Sequence, residues 1–142
     1  MSAPLYNTKI LRLAAAIPHQ ERLEAPHASV VKTSPICGSR VTVDVNVNAD
    51  GRVEDFGQEV RACALGQASA ALLGARVVGM DVDALAASAA ELRAFLDGAG
   101  KLSAANEDLA IFTPARPHKA RHASILLAWD AAAEAARSAG QA

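Results

Sequence analysis

From Val41 to Asn48 valine alternates with polar residues: Val41, Val43, Val45 and Val47 in one phase, Thr42, Asp44, Asn46 and Asn48 in the other. A period of two puts the valines on one face of a strand. Ala49-Asp50-Gly51 supplies hairpin turn chemistry. The return strand from Arg52 changes phase, with Val53 in one register and Phe56, Gln58 and Val60 in the other. A bulge near Asp55 or Gly57 repairs that mismatch. Ser29 to Thr33 reads as a short preceding strand, ended by Ser34-Pro35.

Elsewhere the period is helical. Leu5, Tyr6, Ile10, Leu13, Ala14 and Ile17 recur at three- and four-residue intervals, which predicts a helix over Pro4 to Ile17 stopped by Pro18. Ala62 to Val78 is dense in Ala and Leu, with small residues (Gly66, Ala68, Ser69, Ala70, Ala71) that allow this helix to approach the sheet closely. Asp81 is placed to cap a helix carrying the stripe Val82, Leu85, Ala86, Ala89, Leu92, Phe95 and Leu96, closed by Gly98 and Gly100. His122 to Arg137 is the last, with Ile125, Leu126, Trp129, Ala132, Ala133 and Ala136 on one side and a fraying tail from Ser138. His19 to Ala28 has no period and reads as a surface connection with solvated His19 and His27. Lys101 to Arg121 reads as a long non-helical excursion, because Pro114 and Pro117 interrupt it. The expected architecture is α+β: a three-stranded antiparallel sheet whose valine face is covered by the helices starting near Cys63, Asp81 and His122, in one domain spanning residues 1–142.

Composition narrows the class. Fifty-one per cent hydrophobic and 20% charged residues fit a soluble globular chain. Leu5 to Ile17 is interrupted by Asn7, Lys9 and Arg12, so neither a membrane span nor a signal peptide is expected, which points to the cytoplasm. A net charge of −1 and few aromatics argue against a nucleic-acid partner. No grouping of Ser, His and acid has nucleophile-elbow spacing, so a hydrolase is not indicated.

The chemistry rests on the two cysteines. Cys37 lies on a loop flanked by Pro35 and Gly38, and Cys63 where strand pattern gives way to helix. In a reducing compartment such thiols are available for metal or sulfur. A helix start favours negative charge on Cys63, and Gly38 leaves Cys37 approachable. Their separation of 26 positions matches no compact zinc pattern, and free cysteine is often a small buried hydrophobe. Arg116, His118, Lys119 and Arg121 form a basic cluster beside the last helix, suited to an acidic partner or to a solvated surface.

Leu5-Tyr6, Ile36-Cys37-Gly38, Gly51-Arg52-Val53-Glu54-Asp55, the run Ala62 to Ala70 and His122-Ala123-Ser124-Ile125-Leu126 occur in an order that resembles the IscU/NifU/SufU family of iron–sulfur cluster scaffold proteins. The resemblance covers nearly the whole chain, and Lys101 to Arg121 is similar to the insertion of the SufU branch. Two positions depart from it. Ser39 stands where the family has Asp after Cys-Gly, and the family's third cysteine is missing. Alignment on His122 puts Ala123 in its place; alignment on Leu127-Ala128-Trp129 puts Ser124 there.

The resemblance implies a non-enzymatic scaffold or sulfur acceptor. Its site would be Cys37, Cys63 and His122, with Ser39 and Ser124 as neighbours, holding a transient iron–sulfur cluster, iron or zinc. Its partners would be a cysteine desulfurase and iron–sulfur acceptor proteins, and the chain would be a monomer or weak homodimer. The alternative is a degenerate member that holds no cluster and acts as a regulatory or interaction partner of the assembly machinery. Metal content of the purified protein separates the two.

Overall fold

In the computed structural model, residues 5–36 and 38–140 are described. The elements are α1 (Thr8–Ala14), β1 (Ala28–Thr33), β2 (Arg40–Val47), β3 (Val53–Arg61), α2 (Ala64–Gly74), α3 (Val82–Leu96), the 3-10 helices η1 (Ala104–Ala115) and η2 (Lys119–Arg121), and α4 (His122–Gly140). The strands form an antiparallel sheet in the order β1-β2-β3. This is the expected α+β architecture.

Val41, Val43 and Val45 are fully buried, as the alternation predicts. Their partners on β3 are Val60, Gln58 and Phe56, which therefore share the inward face. The register slips where Asn46 faces Asp55 and Val47 faces Val53, leaving Glu54 as the extra residue. That bulge adjoins Asp55 and reconciles the two phases of β3. Asn48 Oδ1 closes the hairpin by accepting from the N–H groups of Asp50 and Arg52.

α4 lies along β2 and β1, and α2 reaches the inward side of β3, where Gln58 Nε2 donates to Ala70 O at 3.1 Å. α2 and α3 both pack on α4, and α1 docks on α2. Of the three helices expected on the sheet, α4 and α2 reach it, whereas α3 packs mainly on α4. Leu127, Ala128, Ala131 and Ala135 are buried together with the expected stripe, so α4 is apolar nearly all round and forms the central rod of the core. Its helix also continues through Ser138 to Gly140 with Ala139 buried, so those residues are packed helix and not a frayed tail.

α2 is shorter than the run of small residues predicts. After Gly74 the chain turns out, because Gly79 N–H donates to Val53 O and Val53 N–H to Met80 O. Pairing with the start of β3 ends the helix, and Asp81 then caps α3 by accepting from Ala84 N–H at 2.8 Å. α1 is likewise shorter, with Asn7 as its N-cap; Pro4 falls outside the described residues.

The excursion from Lys101 is not irregular. Residues 104–115 form successive 3-10 turns with Pro114 inside, so the expectation drawn from the prolines is corrected. Asn106, Leu109, Phe112 and Ala115 are buried at every third position, which is the stripe that a three-residue turn aligns. The Arg76 guanidinium stacks over Trp129 at 4.8 Å and donates to Ala105 O, Asn106 Oδ1 and Asp108 Oδ1, tying η1 to the core.

Residues 18–24 are also more than a surface connection. His19 O accepts from Gln58 N–H on the outer edge of β3, and the next residues cross the second face of the sheet. Gly57 has no side chain where Glu21 O passes over it. There Arg22 and the Leu23 N–H reach Asp44, which is fully buried. Both His19 and His27 are exposed. No helix among the described residues is long and apolar enough to cross a membrane.

Candidate functional site

Cys63 is the N-cap of α2, with extended backbone and no capping bond from its side chain. Its half-buried, free thiol instead faces α4. Cys63 Sγ lies 3.2 Å from Ser124 Oγ, and Ser124 Oγ lies 3.0 Å from Ser39 Oγ. Three separate parts of the chain thus meet: the loop before β2, the start of α2 and the first turn of α4.

Each part has a local reason to be there. The loop closes on itself, since Ser34 N–H donates to Ser39 O at 2.8 Å and Gly38 N–H to Ser34 O at 2.9 Å, with Gly38 at φ +72°. A positive φ is what glycine accepts without strain. α2 and α4 are locked one turn further along: Ser69 Oγ–H donates to Ile125 O at 2.6 Å, and Trp129 Nε1–H donates to Ser69 Oγ at 3.1 Å. Gly66 allows the helices to touch at the level of Ser124.

The alignment ambiguity has a geometric counterpart. Ser124, 1% exposed, is the residue that faces Cys63, whereas Ala123 is half-exposed and has no polar atom to offer. The register that aligns Leu127-Ala128-Trp129 already pointed to Ser124.

His122 has other employment. It is buried, and its Nε2 lies 3.0 Å from Ala115 O and 3.0 Å from Arg116 O. Both neighbours are carbonyl oxygens, so Nε2 carries a proton and donates. Nδ1 faces Asp97 Oδ1 at 3.8 Å. The imidazole therefore pins the end of η1 to α4 and the end of α3. Among the described residues no three His, Cys, Asp or Glu side chains are grouped to hold a metal ion. Cys37 lies outside the described residues, though the loop that bears it ends at Ser39, within the cluster. A donor set of one thiol and two neutral hydroxyls is poor for a soft metal, so any metal cargo needs Cys37 or a partner's ligand as well.

The basic cluster is partly committed. Arg116 lies over Phe95 at 4.7 Å and donates to Phe95 O, while Arg121 donates to Tyr6 Oη at 2.8 Å.

Residues 5–138 match the family described as NifU-like N terminal domain. The chain belongs to this family. Its members are the iron–sulfur scaffolds that the sequence motifs resemble. No curated protein matches this NifU-like chain. Among solved structures, a nitrogen-fixing NifU-like protein (N-terminal) from Brucella abortus is 38% identical, with 96% of this chain and 95% of that chain covered at a TM-score of 0.90. FiSufU from Fervidobacterium islandicum AW-1, named for iron–sulfur cluster assembly in the SUF system, is 18% identical over 93% of this chain and 96% of that chain, with a TM-score of 0.83. At that identity the likeness to FiSufU is one of fold.

Two features of the NifU-like site escaped the sequence reading. Gly66 is one of several small residues in the run from Ala62, but its place one turn after Cys63 marks a close approach of α4. The role of His122 in holding η1 had no local signal, because its acceptors are backbone carbonyls.

Proposed function

We propose that this NifU-like chain is an iron–sulfur cluster assembly scaffold whose cargo, sulfur and iron, is held at Cys63 together with Cys37 of the neighbouring loop. The observation that supports this reading is the meeting of Cys63, Ser124 and Ser39 in one place, where family thiolate and carboxylate positions come together. Sulfur would come from a cysteine desulfurase, and the finished cluster would pass to an iron–sulfur acceptor protein. Zinc is the alternative occupant. His122 would join as a ligand either through Nδ1, which faces Asp97, or by giving up Ala115 and Arg116 at Nε2. The chain would work as one cytoplasmic unit over residues 1–142, as a binding protein and not a turnover enzyme.

The competing reading is a partner protein of the assembly machinery that holds no cluster, and the two hydroxyls in place of a thiolate and a carboxylate favour it. Anaerobic incubation with a cysteine desulfurase, L-cysteine and ferrous iron tests the choice. The scaffold reading predicts visible cluster absorption, its loss in Cys63→Ser and Cys37→Ser, and transfer to an apo-ferredoxin. A colourless wild-type protein that still binds the desulfurase would establish the partner reading instead.

A further inference from the structure

We propose that the cleft between the C-terminal end of α3 and η1 is a binding site for a single carboxylate carried on an apolar body, gripped by Arg116. The cleft has a volume of about 680 Å³, within the range of about 300–1,000 Å³ that holds small molecules. Phe95 and Leu102 give it apolar walls, and Lys101, Glu107 and Arg116 give it charged ones. Cys63 is not among its residues, so the inference goes beyond the cargo site and does not depend on it.

The Arg116 side chain is held in two ways: its Nε–H donates to Phe95 O at 2.8 Å, and its guanidinium lies 4.7 Å from the centre of the Phe95 ring. The Nε donor is therefore spent. Both Nη groups are without a hydrogen bond or ion pair among the described residues. Such a fork offers parallel N–H donors that match the two oxygens of a carboxylate. Because stacking and the Nε bond already fix it, little side-chain freedom is lost when an anion arrives. Gly98 marks where the fork meets the cleft. It lines the cleft at φ +78°, and a Cβ there would lie 3.5 Å from Arg116 Nη2 with no other contact within 4 Å outside its chain neighbours.

Charge selects among anions. Lys101 and Glu107 are exposed, and neither has a hydrogen bond or ion pair among the described residues. Two positive side chains and one negative leave a single net positive charge, which one carboxylate balances. A phosphate dianion would exceed it and would face both Glu107 and the negative, C-terminal end of α3. The apolar body covers Phe95 and Leu102. A free organic acid and the apolar C-terminus of a polypeptide both present this chemistry.

Amide proton–nitrogen NMR spectra of the full-length protein, titrated with hexanoate, hexanamide and inorganic phosphate at one near-neutral pH and constant ionic strength, test the assignment. Hexanoate should shift the amides of Gly98, Lys101 and Leu102 saturably. Hexanamide should bind at least about tenfold more weakly, because without charge the bidentate contact is lost, and phosphate should bind more weakly than hexanoate too. Arg116→Lys keeps the charge without the fork and should weaken hexanoate about tenfold. Lys101→Ala, at an exposed position, should weaken it about two- to fivefold. Acetyl-Leu-Leu-Leu with a free carboxylate separates the sources: tighter binding than hexanoate assigns the cleft to a polypeptide C-terminus, and binding no tighter assigns it to a free acid. No saturable shift at these amides, equal affinity for hexanoate and hexanamide, or phosphate binding as tightly as hexanoate would overturn the proposal. If Arg116→Lys fails to fold, Lys101→Ala decides, and an unchanged affinity for hexanoate would contradict the charge match. None of these readouts depends on whether the protein assembles a cluster.

Discussion

A Cβ on Gly66 would lie 2.5 Å from Ser124 Oγ and 3.0 Å from Ser124 O, so the start of α2 and the first turn of α4 meet through bare backbone beside Cys63. Helices approach this closely only where a side chain is absent, and this contact fixes the distance between the cysteine and the serine.

Gly66→Ala should therefore push α4 away from α2 at the site. Overpacking of this kind costs about 1–3 kcal/mol, partly offset by the better helix propensity of alanine. Urea unfolding should show a lower midpoint. A crystal structure of the variant should show the Cys63 to Ser124 contact lengthened beyond hydrogen-bond distance. A midpoint at or above that of the wild type with the contact intact would mean that the interface yields more easily than its packing implies.

Asp44 supports the opposite face of the sheet. Burial pushes its carboxyl up, but hydrogen bonds from Arg22, Ser29 and the Leu23 N–H, with the Arg22 charge, outweigh burial and hold it below the usual carboxylate range. A carboxyl depressed on folding adds stability that is complete above its unfolded value of about 3.9 and is lost as pH falls through the folded value. Asp44→Asn should cost about 1–3 kcal/mol near neutrality. Urea midpoints of wild type and variant, measured from neutral pH into the acid range, should converge as the pH drops. A constant gap would show that shape, and not charge, is what Asp44 contributes.

The sheet was legible because period two in Val41 to Val47 and the phase change at Val53 each have one structural solution, a strand with one valine face and a bulge; the polar face, where Thr42 and Asp44 are buried too, was not. The helices were legible as stripes, but their layering was not. The small residues of α2 predict a close approach to the sheet, which Ala70 and Gly74 make at Gln58, but do not say that Gly66 meets α4 as well. The 3-10 stripe of Asn106, Leu109, Phe112 and Ala115 was present in the sequence, yet a search at periods of 2 and 3.6 passes over a period of three. At the site, family order led to Cys63 and to the pair Ala123 and Ser124. Which of these faces the thiol depends on the rotation of α4, and that is set by its packing on α2 through Ser69 and Gly66. His122 was expected as a ligand. The burial it has instead follows from the fold of η1, which its own neighbours do not encode.

The central claim is that cargo is held beside Cys63 at the place where Ser124 faces it. Zinc titration of the wild type, Ser124→Cys and Ala123→Cys tests this most directly. Neighbouring helical positions point about 100° apart, so only one of the two new thiols can join Cys63. A restored thiolate at position 124 should tighten zinc binding at least about tenfold, while one at position 123 should leave it unchanged. Equal affinities in all three proteins, or tighter binding in Ala123→Cys alone, would contradict the account.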